Sequence, residues 1–163
     1  MPDIERLDKF FVMHDFENTV LNSWLDEWPL HCTIVPLFLP EKSMPQNDVI
    51  ESVNQVASTF NAIQIEFGGK SNFGPNEDIP VIEIIDQNHS LRSLHNTLVF
   101  YLGNFSCQFI DKTYLLDNYS PHVTERSNSP RLTSPYELNS ISIGKKSKKH
   151  DKKIIIAKLN LGV

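Results

Sequence analysis

Two short stretches carry residues able to do acid–base chemistry on a phosphate. They are Leu30-His31-Cys32-Thr33-Ile34-Val35 and Pro121-His122-Val123-Thr124-Glu125-Arg126. Both read as extended chain, and in a strand successive side chains alternate between faces. His31 and Thr33 then share one face, with Cys32 and Ile34 on the other. His122, Thr124 and Arg126 likewise share a face, which leaves Val123 for the core. Imidazole can both take and give a proton near neutrality, because its ordinary pKa lies close by. A threonine hydroxyl beside it can donate to a non-bridging phosphate oxygen, holding phosphorus in line and stabilising developing charge. Such chemistry calls for no metal and no cofactor.

Strand context is what gives the pattern meaning. His95-Asn96-Thr97 has the same spelling, but it lies in a run that reads as a helix. Residues two apart on a helix point roughly 200° from one another, so His95 and Thr97 cannot address one ligand. Cys32 sits next to His31, yet strand alternation turns it away, which makes it a small buried apolar residue and not a nucleophile. Arg126 shares the face of His122 and Thr124 and is a candidate phosphate contact. Tyr119 and Phe73 are candidates for stacking on a base.

The two motifs, and the order of elements between them, resemble the 2H phosphoesterase superfamily, in particular its 2′-5′ RNA ligase / cyclic phosphodiesterase branch. Its mark is a pair of His-x-Thr/Ser motifs in two pseudo-symmetric lobes; here they stand as His31-Cys32-Thr33 and His122-Val123-Thr124. The resemblance covers residues 10–161. It implies an α+β fold, with two lobes of antiparallel sheet, flanking helices and an active-site cleft between the lobes. It implies a metal-independent enzyme that opens a 2′,3′-cyclic phosphate or a 2′-5′ linkage at an RNA or nucleotide end, a reaction some relatives run in reverse as ligation. In the hydrolytic direction His122 is expected as general base on water and His31 as general acid, with Thr33 and Thr124 on the phosphate. Few basic residues lie near either motif, which favours small or terminal substrates over long RNA. Two other readings stay open: a non-catalytic module that holds a nucleotide or RNA end on the same fold, and an interaction protein whose His-x-Thr pairs are accidental.

Composition bounds these readings. A chain of 163 residues suits one domain, 1–163, with a substantial core. The net charge of −5 argues against broad binding to a nucleic-acid backbone. No run is long enough to span a bilayer and the first residues form no apolar signal segment, so a cytoplasmic protein without a membrane or obligate protein partner is expected. Cys32 and Cys107 offer neither a disulfide framework nor metal-ligand spacing. The lysines between 145 and 153 read as a solvated hairpin tip.

These residues need elements to hold them. The pattern predicts strands over 9–14 and 30–39, with a helix over 17–28 between them from the spacing of Val20, Leu21, Trp24, Leu25 and Trp28. A second amphipathic run predicts a helix over 47–60, capped by Asn47 or Ser43. A strand over 61–68 ends at Gly68-Gly69, and a polar loop follows over 70–80. Then come a strand over 81–85 and a helix over 88–102. Residues 105–119 carry no clear period. The second motif strand, a polar loop over 127–135 and a hairpin of 136–143 with 154–161 complete the chain. Alternating strands and helices closed by a hairpin predict antiparallel sheet and exclude a doubly wound nucleotide fold. Neither common glycine-rich phosphate loop is present.

Overall fold

The structure is a computed structural model that describes residues 7–126, 131–147 and 152–162. Its strands are β1 (Lys9–Asp15), β2 (Trp24–Leu25), β3 (His31–Leu39), β4 (Ile63–Phe73), β5 (Ile79–Ile85), β6 (Gln108–Phe109), β7 (His122–Thr124), β8 (Tyr136–Leu138), β9 (Ser140–Lys146) and β10 (Lys153–Asn160). The helices are α1 (Gln46–Ala57) and α2 (Ser90–Asn104). The strands form one sheet in the order β2-β10-β9-β1-β3-β7-β5-β4-β8, with β6 also paired to β3. Every pairing between these strands is antiparallel. The expected α+β class with antiparallel sheet is what the chain adopts.

Both helices form because they bury an apolar stripe on the same face of the sheet. α1 contributes Val49, Val53, Val56 and Ala57, and α2 contributes Leu91, Leu94, Leu98 and Leu102. They meet Cys32, Ile34 and Val123 in the main core. α1 begins at Pro45 with no side-chain cap, so neither Asn47 nor Ser43 caps it. α2 is started by Asp86, whose carboxylate accepts from the backbone N–H groups of Leu91 (3.1 Å) and Arg92 (3.0 Å). A carboxylate at a helix N-terminus satisfies unpaired donors and complements the helix dipole.

The helix expected over 17–28 does not exist. Asp15 takes the N–H groups of Glu17 (2.8 Å) and Thr19 (2.7 Å) on its carboxylate, and Asn18 and Asn22 adopt left-handed backbone. The chain therefore turns, and Trp24–Leu25 joins the sheet edge beside β10. Val20 is 72% exposed and Trp24 54%, so the helix-like spacing reflected no common buried face. Gly68-Gly69 does not end β4 either. The strand continues to Phe73 across a register irregularity between Phe67 and Lys70, and two glycines tolerate the bulge that this requires. The expected loop over 70–80 thus shrinks to the turn between β4 and β5. The strand expected over 136–143 breaks at Asn139, because β8 pairs with β4 whereas β9 pairs with β1 and β10. Of the expected loop over 127–135 and the lysine tip, residues 127–130 and 148–151 lie outside the described residues.

A smaller apolar cluster of Phe11, Met13 and Ile155 lies apart from the main core, with Trp28 and Leu37 packed against it. It depends on Gly144, which pairs with Phe11 and Ile155. A Cβ at that position would lie 2.4 Å from Phe11 Cε1 and 2.9 Å from Met13 Cε. Gly144→Ala must therefore displace the Phe11 ring, with an expected loss of about 1–3 kcal/mol in denaturant unfolding. An unchanged midpoint would show that the cluster yields freely.

Candidate active site

Among the described residues, the two halves of the sheet join through one residue pair, Cys32↔Val123, between β3 and β7. Cys32 and Val123 are both fully buried on the helix side. The antiparallel register one residue to either side sets His31 across from Thr124 and Thr33 across from His122, all on the opposite face. Each imidazole thus stands beside the hydroxyl of the other motif. The structure brings together the four motif residues that the sequence nominated.

Both rings are oriented in the same way. His31 Nδ1 lies 2.7 Å from the Pro29 carbonyl oxygen and His122 Nδ1 lies 2.8 Å from that of Ser120. A carbonyl only accepts, so each Nδ1 carries the proton and donates it, which leaves Nε2 as the working nitrogen. Aromatic rings hold each imidazole in place. Phe11 meets His31 edge-on at 5.7 Å between centroids, and Trp28 braces Phe11 at 4.7 Å. Phe73 lies against His122 at 4.0 Å, and Tyr114 backs Phe73 at 4.5 Å. Phe11, Trp28 and Tyr114 were not nominated from sequence. Only the pairing of β1 with β3 and the course of residues 16–30 and 110–121 place them.

The electrostatics follow from burial. Desolvation lowers the pKa of His31; the Pro29 carbonyl and Asp15 oppose this, whereas His122 and Arg126 add to it. Desolvation lowers His122 as well, opposed by the Ser120 carbonyl. Asp15 stands across from His31 in the β1–β3 register, so His31 has a carboxylate favouring its protonated form. Cys32 faces the core as expected, and burial pushes its thiol up to about 12, far from a working thiolate.

Arg126 reaches the rim of the site by another route than the one expected. Its guanidinium donates to the Trp28 carbonyl (3.0 Å) and to the Glu17 carboxylate (2.7 Å), tying the 16–30 segment to the second motif. Glu17 also accepts from the Leu30 N–H. Arg126 nevertheless lines a cavity of about 290 Å³ shared with His31, Thr124 and Trp28, so its charge faces the His31 imidazole.

Tyr119 is not at the surface of the cleft, and the expected base-stacking role is corrected. It is 6% exposed, and its ring stacks on His95 at 4.0 Å with the planes 6° apart. Its hydroxyl donates to the Thr33 carbonyl at 2.9 Å. Two aromatic planes in contact bury more surface than one ring left in solvent could. His95 is a buried member of α2, as its helical context implied, with Nδ1 donating to the Ile34 carbonyl (2.6 Å) and Nε2 accepting from the Leu116 N–H (2.9 Å). Arg92 holds the carbonyls of Leu116 (3.0 Å) and Tyr119 (2.8 Å). Together they fix the approach to the second motif. His14 is also structural, bonding the Ser140 carbonyl and the Tyr136 hydroxyl, each at 2.7 Å.

Two larger cavities contain no histidine. One of about 450 Å³ lies between the helices beside Asp48 and Tyr101, and one of about 590 Å³ lies on the Val123 side of β7. Among the described residues, no three His, Cys, Asp or Glu side chains are grouped to hold a metal ion, and no helix is long and apolar enough to cross a membrane.

Comparison with known proteins identifies the family and the fold. The model of the 2′-5′ RNA ligase superfamily matches residues 5–151. No curated protein matches the chain in sequence. Escherichia coli LigT complexed with NADP+ is similar at 12% identity and a TM-score of 0.60, covering 96% of this chain and 99% of that one. The Thermus thermophilus protein TT0787 is similar at 13% identity and a TM-score of 0.54, covering 94% and 97%. E. coli LigT complexed with 3′-AMP is similar at 10% identity and a TM-score of 0.52, covering 96% and 99%. At these identities the likeness is one of fold.

Proposed function

The chain belongs to the 2′-5′ RNA ligase superfamily, and from that premise we propose that it is a metal-independent phosphoesterase. Its proposed substrates are 2′,3′-cyclic phosphates or 2′-5′ phosphodiesters at nucleotide or RNA ends. The observation that carries this reading is the crossed pair: two imidazoles with tethered Nδ1 atoms, each opposite the other motif's threonine.

For a cyclic phosphate the steps balance as follows. A water oxygen attacks phosphorus while His122 Nε2 takes its proton. The bond from phosphorus to one ribose oxygen breaks, and protonated His31 gives its Nε2 proton to that oxygen. A phosphomonoester with a free neighbouring hydroxyl results. Thr33 and Thr124 donate to the non-bridging oxygens, and the Arg126 guanidinium at the rim adds positive charge where negative charge grows. Asp15 across from His31 supports His31 as the acid, since a nearby carboxylate stabilises an imidazolium. Burial is the largest influence on both rings and lowers both; the Asp15 carboxylate, which acts on His31, is what separates them and leaves His122 to serve as the base. Nucleotides bound by E. coli LigT, NADP+ and 3′-AMP, support a small nucleotide as ligand.

The test is incubation of the purified protein with a 2′,3′-cyclic mononucleotide in EDTA. Steady conversion to a monophosphate, unchanged by the chelator, is expected. Saturable binding without product at high protein concentration would instead identify a binding module.

A further inference from the structure

Beside His31 the cleft opens into a slot of about 330 Å³. Its origin lies in the way β3 is paired. That strand meets β7 at Cys32 and β6 at Phe38–Leu39, and the Ile110 N–H bonds the Leu37 carbonyl at 3.0 Å. Between these points the chain from 111 to 121 leaves β3 and returns, so residues 34–36 have no strand paired on that edge, with the Tyr119 hydroxyl on the Thr33 carbonyl at one end and the Ile110 N–H on the Leu37 carbonyl at the other. Phe11 and Trp28 wall the slot on the side of the imidazole, and Ile110, 40% exposed, walls it on the other. Asp111 stands at the far rim.

We propose that this slot seats the base of the nucleotide whose cyclic phosphate is opened, and that the Asp111 carboxylate selects bases presenting amino and imino donors, guanine above all, against uracil. The inference rests on the cyclic-phosphate reading above. An apolar slot with one polar group at its mouth has the make-up of a small-ligand site; Phe11, 5% exposed, is its floor, and the half-buried Trp28 ring is the one on which a base can stack. Continuity with the acid fits too. If His31 protonates the departing ribose oxygen, the nucleoside carrying that oxygen lies on the His31 side, where the slot is.

Asp111 is suited to reading donors. Its Oδ1 accepts the Thr113 N–H at 2.9 Å, which fixes the carboxylate and leaves acceptor positions on both oxygens. The Thr113 hydroxyl and N–H hold its pKa below the ordinary carboxylate value, so it is ionised wherever the imidazoles work. Guanine presents an imino and an amino donor side by side, matching two carboxylate oxygens. Adenine and cytosine present one amino group. Uracil presents an imino group flanked by two carbonyl oxygens, which a carboxylate repels.

The experiment compares kcat/KM for the four nucleoside 2′,3′-cyclic phosphates with that for a base-free methyl riboside 2′,3′-cyclic phosphate. Parent protein, Asp111→Asn and Asp111→Ala are each assayed. The parent should prefer guanosine over uridine by about tenfold or more, the scale on which sites built for hydrogen bonds discriminate. In Asp111→Ala that ratio should collapse to within about threefold, and in Asp111→Asn it should fall between the two, since an amide accepts at one atom and donates at the other. Turnover of all five substrates by the parent at similar rates, or an unchanged base order in Asp111→Ala, overturns the base seat alone. Turnover of none, the base-free substrate included, overturns the cyclic-phosphate reading and the seat with it.

Discussion

His31→Ala and His122→Ala are each expected to lower kcat for 2′,3′-cyclic nucleotide hydrolysis by about 10²–10⁴-fold, the range that a positioned general acid or base supplies. Because one proton is shared by two sites, the double variant should lose little more than the worse single one. The pH dependence follows from burial. The active form has one imidazole protonated and one neutral, so kcat/KM peaks between the two apparent pKa values of the pair. Desolvation lowers both, and a lowered pKa means that the proton is held only at more acid pH. The peak in kcat/KM should therefore fall below the ordinary histidine value of 6.5. A bound phosphate is an anion beside both rings and favours their protonated forms, so the kcat profile should lie to the alkaline side of the kcat/KM profile. Circular dichroism at each pH separates this from acid unfolding. A kcat/KM that climbs steadily through neutral into alkaline pH, or single variants that keep parental activity, would remove the two-histidine mechanism.

Much of the site could be read from the chain because strand alternation is local. Whether His31 and Thr33 share a face, and whether Cys32 opposes them, depends on the period of a strand and on nothing distant. Which hydroxyl serves which imidazole is a different matter. That the pairs cross, His31 with Thr124 and Thr33 with His122, is set by the register of two strands far apart in sequence, and no local pattern encodes it. The aromatic supports escaped for the same reason. Phe11 reaches His31 because β1 lies beside β3, and Tyr114 reaches Phe73 across a segment without periodicity. The false helix over 17–28 shows the opposite failure. Its apolar spacing was real, but Asp15 offered the backbone donors a competing turn, and the β10 edge offered Trp24–Leu25 a partner. Tertiary context of this kind overrides periodicity in short amphipathic runs.

Tyr119 shows how a residue chosen for the wrong role still matters to the site, and its substitution separates the two roles. It lies on the chain leading into the second motif, while its hydroxyl bonds the carbonyl of Thr33 in the first. It is thus a strut between the halves of the sheet, whose motif strands otherwise share one residue pair. Tyr119→Phe removes the hydroxyl alone and should lower stability by about 1 kcal/mol. It should also lower kcat with little change in KM, because Thr33 shifts relative to His122 while substrate contacts outside the phosphate persist. Tyr119→Ala removes the ring stacked on His95 as well and leaves a cavity in the main core, which should cost about 3–5 kcal/mol. Urea unfolding and steady-state kinetics on the same preparations decide the matter. A base-stacking tyrosine would give the reverse pattern: Phe neutral in every respect, and Ala raising KM at parental stability.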